Sequence, residues 1–345
     1  MSASPSRSGD ALLPRVAVVI PLFNHAPYIR AALESVLGQT NPPDRIIVVD
    51  DGSTDGSPDV VDRLRFPKVE LFRQENQGAH MALNRGIALA NDCEWIAILN
   101  SDDIYHPERL AKCFILLQQR PQTALITTGL HLIDDDGQPL DETSSKVRRL
   151  RAIWDLVRAD ANPLLSLAIS NFTKTTSNFV VRRQFLLDHP FGAYRYVHDY
   201  HTALQAAFEG VLTVLPEDLL GYRTHETNTI KSSGKSPVIM ETLRMNLDLL
   251  SAWAPKLRSS QRLRKRYRQY FQRLLGNHTD FRGELFFQLI AQLLASNPQI
   301  LDLKTLADFP ELKTSPEALP ARSTAPMRLV DPKIRGLKRV LKLIR

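Results

Sequence analysis

A chain of 345 residues, 43% hydrophobic and 23% charged, has the composition of a soluble globular protein. That length suits one large α/β domain plus an appendage, or two ordinary domains, and no apolar run reaches the roughly 20 residues of a membrane-spanning helix. The net charge of +7 is unevenly placed: Pro255 to Arg345 holds 19 Lys and Arg against 7 Asp and Glu, and residues 1–254 hold 25 against 30.

The start of the chain, Met1 to Arg15, is polar, rich in Ser and Pro, and lacks the apolar core of a signal peptide. Residues 1–14 are therefore expected to be a disordered lead-in. Val16 to Ile20 reads as a buried strand by its length and β-branching. From Tyr28, the residues Ile29, Ala32, Leu33, Val36 and Leu37 recur at helical spacing up to Gly38. A second strand, Ile46 to Val49, ends in Asp50-Asp51-Gly52-Ser53. A helix over 59–64, a strand over 69–72 and a helix over 79–90 follow. The fourth strand, Trp95 to Leu99, ends in Asn100-Ser101-Asp102-Asp103. Strands alternating with helices over short connections imply a mostly parallel sheet flanked by helices. Ligands bind at the carboxyl ends of such strands, where both acidic clusters lie.

Past Pro121 the pattern changes. Ile133 to Gly137 reads as a hairpin turn on its Asp-Gly step. Consecutive acids in such a turn face solvent, so Asp134, Asp135 and Asp136 are assigned no chemistry. A helix is expected over 147–158, a strand over 178–181, a helix over 199–209, and strands over 211–215 and 219–223. Helices over 243–257, 262–275 and 284–294 make a helical extension. Residues 310–332 hold five prolines and read as a linker, and 333–345 as a basic amphipathic helix. The expected organisation is a catalytic domain over 15–235, an extension over 236–309, that linker and that helix. Cys93 and Cys113 lie in apolar segments and read as core residues in a reducing cytoplasm. Trp154 and Trp253 read as packing residues.

A carboxylate in the tight turn after Val49 can accept hydrogen bonds from a base N–H or a ribose hydroxyl. Asp102 and Asp103 can hold a divalent cation through oxygen ligands. The competing reading for either cluster is a turn with a helix cap. Four ordered motifs decide between them: Val19 to Asn24, Val49 to Asp55, Asn76-Gln77-Gly78, and Leu99 to Asp103. With Pro107, Leu110, His198-Asp199-Tyr200, Tyr222 to His225 and Asn228, they resemble the family 2 inverting glycosyltransferases over about residues 15–230.

The resemblance implies a GT-A fold and transfer of a sugar from a nucleoside diphosphate, here a UDP-sugar, to an acceptor hydroxyl. Pro21, Phe23 and Asn24 would line the nucleotide pocket, with Asp51 on the uracil or ribose and Gly78 admitting the backbone. Asn100 and Ser101 would complete the pocket. Asp102, Asp103 and His225 would hold Mg²⁺ or Mn²⁺. Asn100 stands where the family carries the first aspartate of Asp-x-Asp, which weakens or reassigns one contact. Asp199 would be the general base, with His198 in place of the usual Glu; the competing reading for Asp199 is a helix cap. Arg223 reads as a surface charge rather than a phosphate contact, and His80 and His106 have no motif support.

The basic segment 257–273 interleaves Tyr267, Tyr270 and Phe271. It reads either as a helix resting on anionic lipid, joined there by 333–345, or as a bundle helix with a solvated basic face. No nucleic-acid motif accompanies the charge, so nucleic acid ranks last. The expected partners are a nucleotide sugar and a glycan or lipid-linked acceptor in envelope polysaccharide or glycolipid synthesis, at the inner face of the membrane. The alternatives are a catalytically silent scaffold and a nucleotidyltransferase. The latter needs a Gly-rich phosphate loop after the first strand, which Pro21 to Asn24 does not resemble.

Overall fold

A computed structural model describes residues 14–160, 162–225 and 235–277. The expected lead-in, Asn228, the helix over 284–294, the linker and the basic helix over 333–345 lie outside the described residues.

The first half alternates as the sequence predicts: β1 (Val16–Leu22), α1 (Ile29–Leu37), β2 (Arg45–Asp51), α2 (Ser57–Leu64), β3 (Val69–Gln74), α3 (Ala79–Leu89) and β4 (Trp95–Ile98). Strands β3, β2, β1 and β4 lie side by side and parallel, with Leu22 opposite Asp50 and Asp51 opposite Gln74. This register brings the ends of β1 and β2 level, so the loops leaving them form one rim. Strands β1 and β2 are apolar on both faces because helices cover both. Helix α3 crosses β1 closely at Gly86, where an added Cβ would lie 2.4 Å from Val19 Cγ1. Gly86→Ala is therefore expected to lower unfolding free energy by about 1–2 kcal/mol, because overpacking outweighs the gain in helix propensity. Denaturant titration checks this, and a stabilised variant would contradict the packing.

The second half turns the sheet over. It contains β5 (Ile104–Tyr105), α4 (Arg109–Gln119), β6 (Leu125–Ile133), α5 (Ser145–Ala159), α6 (Pro163–Ile169), β7 (Val180–Arg182), α7 (Arg183–Asp188), α8 (His198–Glu209) and β8 (Leu212–Arg223). Strand β7 enters antiparallel between β4 and β6, giving an eight-stranded mixed sheet in the order β3-β2-β1-β4-β7-β6-β8-β5. The two strands expected over 211–215 and 219–223 are one strand, β8. Its pairing with β6 shifts register around Gly129, opposite the Pro216-Glu217 step, which breaks the apolar pattern without ending the strand.

The strand expected from Asn178 begins at Val180 instead, after a 3-10 turn over Thr176–Asn178. The buried Asn178 amide accepts from Thr128 N (2.8 Å) and donates to Thr128 O (2.9 Å). That side chain thus replaces the backbone ladder at this point. Cys93, Cys113, Trp154 and Trp253 are buried, as expected.

Helices α9 (Lys235–Ser259) and α10 (Gln261–Asn277) pack into the same core. Tyr267 stacks on Phe208 of α8, Tyr270 meets it edge-on, and the Tyr270 hydroxyl donates to Asn246 Oδ1 (2.9 Å). Arg266 donates to Ala207 O at the C-terminus of α8, where a cation is favoured. The described aromatic residues of 257–273 thus face protein, while Arg262, Lys265 and Arg273 are exposed.

Candidate functional site

Three loops are stitched together at the rim above β1 and β2. Asn24 adopts a left-handed backbone (φ 52°), its N–H donating to Ser53 Oγ (3.0 Å) and its amide oxygen accepting from Thr54 N (2.8 Å). Asp55 accepts from Ala26 N (2.9 Å) and from Ser57. The buried Asp51 carboxylate accepts from Gln77 N (2.9 Å), Gly78 N (2.8 Å) and Gln74 Nε2 (2.7 Å). Asp51 thereby anchors the 76–78 loop, in which Gly78 takes φ 91°, a region closed to most side chains. Pro21 is buried within β1, and Phe23 is 44% exposed beside Asn24.

Below this rim, His25, Asp102 and His225 converge, each presenting a ligand atom within 4.8 Å of the others. His225 Nε2 lies 3.0 Å from Asp102 Oδ2, and His25 Nδ1 lies 2.7 Å from the Ser101 hydroxyl. Tyr28 packs against His225 with ring centroids 5.3 Å apart and donates to Asp135 Oδ1 (3.0 Å). Burial alone would raise the Asp102 carboxyl, but the His225 hydrogen bond and the facing imidazoles outweigh it and hold it below its usual range. Burial also lowers the His25 imidazole, against the pull of Asp102. The group therefore offers an ionised carboxylate and a neutral His25 at neutral pH, the protonation states that metal binding requires. Two imidazoles and one carboxylate suit a transition-metal dication better than Mg²⁺, which favours oxygen ligands. Sequence reading missed His25, although it directly follows the Val19 to Asn24 motif.

Several expected roles change. Asp103 does not join the group: its carboxylate turns away to accept from Ser177 Oγ (2.5 Å) and Arg223 N (2.9 Å). Burial, then the Asp102 charge, pushes its carboxyl well above the usual range, so the pair carries its charge on Asp102. The Asn100 amide is tied to the 175–178 turn, donating to Thr175 Oγ1 (2.9 Å) and accepting from Thr176 Oγ1 (2.9 Å). Ser101 is buried, with its hydroxyl placed to orient the His25 ring. Arg223 is not a surface charge. It is 2% exposed, and its guanidinium donates to the carbonyls of Asp102 (2.7 Å), Asp134 (2.6 Å) and Asp135 (2.6 Å). The acidic turn at 134–136 thus closes one wall of the site through its backbone and Tyr28.

Asp199 lies in the first turn of α8 and is 5% exposed. It is not the helix cap. Val197 holds that position, and the Glu241 carboxylate from α9 accepts from the N–H groups of Arg195, Tyr196 and Val197. Asp199 Oδ2 instead accepts from Asn171 Nδ2 (3.0 Å). Its neighbour His198 is a packing residue, with Nδ1 on Tyr194 O (3.2 Å) and its ring against Phe191. Burial and then the charges of Asp103, Asp102 and Asp199 raise the Tyr222 phenol.

The model of the glycosyl transferase family 2 matches residues 17–188. An uncharacterized glycosyltransferase of Nostoc sp. is 31% identical over 229 residues, spanning 64% of this chain and 68% of that protein. TuaG of Bacillus subtilis, whose name assigns it to teichuronic acid biosynthesis, is 34% identical over 134 residues, 37% of this chain and 52% of its own length. Among solved structures, residues 1–349 of S. aureus TarS in complex with UDP superpose with a TM-score of 0.56 at 16% identity, covering 86% of this chain and 81% of that one. The mannosyltransferase PcManGT from Pyrobaculum calidifontis, in complex with GDP-Man and Mn²⁺, gives 0.52 at 21% identity, with 86% and 79% covered. At such identities these structures establish the GT-A fold alone.

Proposed function

Because the chain belongs to glycosyl transferase family 2, we propose that it moves a hexosyl group from a UDP-sugar to an acceptor hydroxyl, with inversion at the anomeric carbon. The observation that carries this reading is the convergence of His25, Asp102 and His225 past the strand ends, with Asp199 buried in the first turn of α8. Asp51, the Asn24 turn and the Gly78 loop would receive the nucleoside. His25, Asp102 and His225 would hold Mn²⁺, whose presence in PcManGT supports that choice over Mg²⁺. The bound ion would supply charge neutralisation for the departing diphosphate. Asp199 would take the acceptor proton as the acceptor oxygen bonds the anomeric carbon and the bond to the diphosphate oxygen breaks.

UDP as the donor nucleotide is supported by TarS complexes with UDP and UDP-GlcNAc, and an envelope polysaccharide as product by the name of TuaG. Work at the inner membrane face, through the basic segment 333–345, completes the proposal. The silent-scaffold alternative draws on the departures at Asn100 and His198, and neither residue belongs to the group of His25, Asp102 and His225. The test is incubation of the full chain with Mn²⁺ and a panel of UDP- and GDP-sugars. Release of UDP is expected from at least one UDP-sugar. Release from none of the panel would restore the scaffold reading, and release of GDP alone would overturn the choice of donor.

A further inference from the structure

Two of the three groups that converge at the metal site are imidazoles, and an imidazole ligates well only when its ring is turned toward the ion. Hydrogen bonds fix part of that orientation: His25 Nδ1 lies 2.7 Å from Ser101 Oγ, and His225 Nε2 lies 3.0 Å from Asp102 Oδ2. A hydrogen bond to one ring atom does not set the tilt of the ring plane, whereas a neighbour packed against the ring does. Tyr28, the residue at the start of α1, is such a neighbour to both. Its ring centroid lies 5.3 Å from that of His225, with the planes 32° apart, and 5.8 Å from that of His25, edge-on at 69°. The two imidazoles meet each other edge-on at 5.8 Å, so the three rings form one cluster. Tyr28 is itself held from outside that cluster. The Arg223 guanidinium carbon lies 4.7 Å over its ring, and its hydroxyl donates to Asp135 Oδ1 (3.0 Å). Arg223 in turn is fixed on the carbonyls of Asp102, Asp134 and Asp135.

We propose that Tyr28 is a positioning residue for the metal: its ring sets the tilt of His25 and His225, so that both imidazoles face the ion before it arrives. This rests on the reading of His25, Asp102 and His225 as the metal ligands. The hydroxyl is engaged with Asp135, so Tyr28 acts through the imidazoles and not as a ligand. A ring packed against two ligands removes the cost of ordering them when the ion binds.

Mn²⁺ binding to the full chain, without nucleotide, is measured at neutral pH by calorimetry and by electron paramagnetic resonance. Wild type is expected to bind, and Tyr28→Phe, which keeps the ring, to bind as the wild type does. Tyr28→Leu is expected to bind about 10-fold more weakly or worse, the range found when groups that orient metal ligands are removed. Its bound Mn²⁺ spectrum is expected to broaden as the ring tilts spread. Tyr28 is half-exposed, so melting temperature and metal-free UDP affinity should hold; a merely structural role would move them together with Mn²⁺ affinity. Tyr28→Met, which fills similar space without a ring, carries the same expectation should the leucine variant melt early. Wild-type Mn²⁺ affinity in the variants without a ring would overturn the proposal. An equal loss in Tyr28→Phe would also overturn it, by assigning the effect to the Asp135 tether. Absence of Mn²⁺ binding to wild type would instead overturn the metal group itself, and the positioning role with it.

Discussion

Asp199→Asn is expected to lower kcat for transfer about 10³-fold, within the range general-base catalysis supplies, while leaving UDP affinity and folding unchanged. The substitution keeps the volume and the contact with Asn171 but removes the site that takes the proton. Asp199 lies in the first turn of α8, and Glu241 rather than Asp199 holds the helix start. The variant should therefore melt with the wild type. An interaction made only in the transition state lowers kcat without moving KM. Wild-type turnover in this variant would remove Asp199 from the mechanism, and a fall in UDP affinity of the same size would place it on the donor side.

Asp102→Ala is expected to weaken UDP binding about a hundredfold in the presence of Mn²⁺ and to leave the weak metal-free binding almost unchanged. The change removes the one carboxylate of the group and leaves two imidazoles, and even groups that only orient metal ligands are worth about 10–100-fold in affinity. The same site gives the pH dependence a sign. Metal ligation needs neutral imidazoles and an ionised carboxylate, so protons compete with the ion. His25 and Asp102 are both lowered from their usual values, which keeps them in the ligating state at neutral pH. Mn²⁺-supported binding should be complete above the ordinary imidazole range near about pH 6.5 and be lost as pH falls below it. Calorimetry across pH 5 to 8 checks this (both limits being about 1.5 units or less from that value), and binding that strengthens on acidification would contradict the ligand set.

Much of the first half was legible because strand, helix and acidic strand end recur with regular spacing. Asp51 ends its strand and Asp102 follows shortly after the end of β4. The second half was less so, because its contacts are made by side chains that replace backbone pairing. Asn178 completes a ladder no periodicity reports, and β8 continues through Pro216 because β6 accommodates the shift. Arg223 misled for a related reason: an arginine at a strand end usually meets solvent, yet three carbonyls from two distant loops enclose it. His25 carries no motif of its own, and its place in the group comes from His225, a residue far away in sequence. The basic α10 read as a lipid-facing helix or a bundle helix, and Phe208 decides for the bundle by receiving Tyr267 and Tyr270.

The central claim, a metal-assisted nucleotide-sugar site built on His25, Asp102 and His225, is tested most directly by titrating the wild-type chain with UDP at neutral pH, with and without Mn²⁺. At least tenfold tighter binding with Mn²⁺ is the expected result. Equal affinity in the two titrations, or no binding in either, would contradict it.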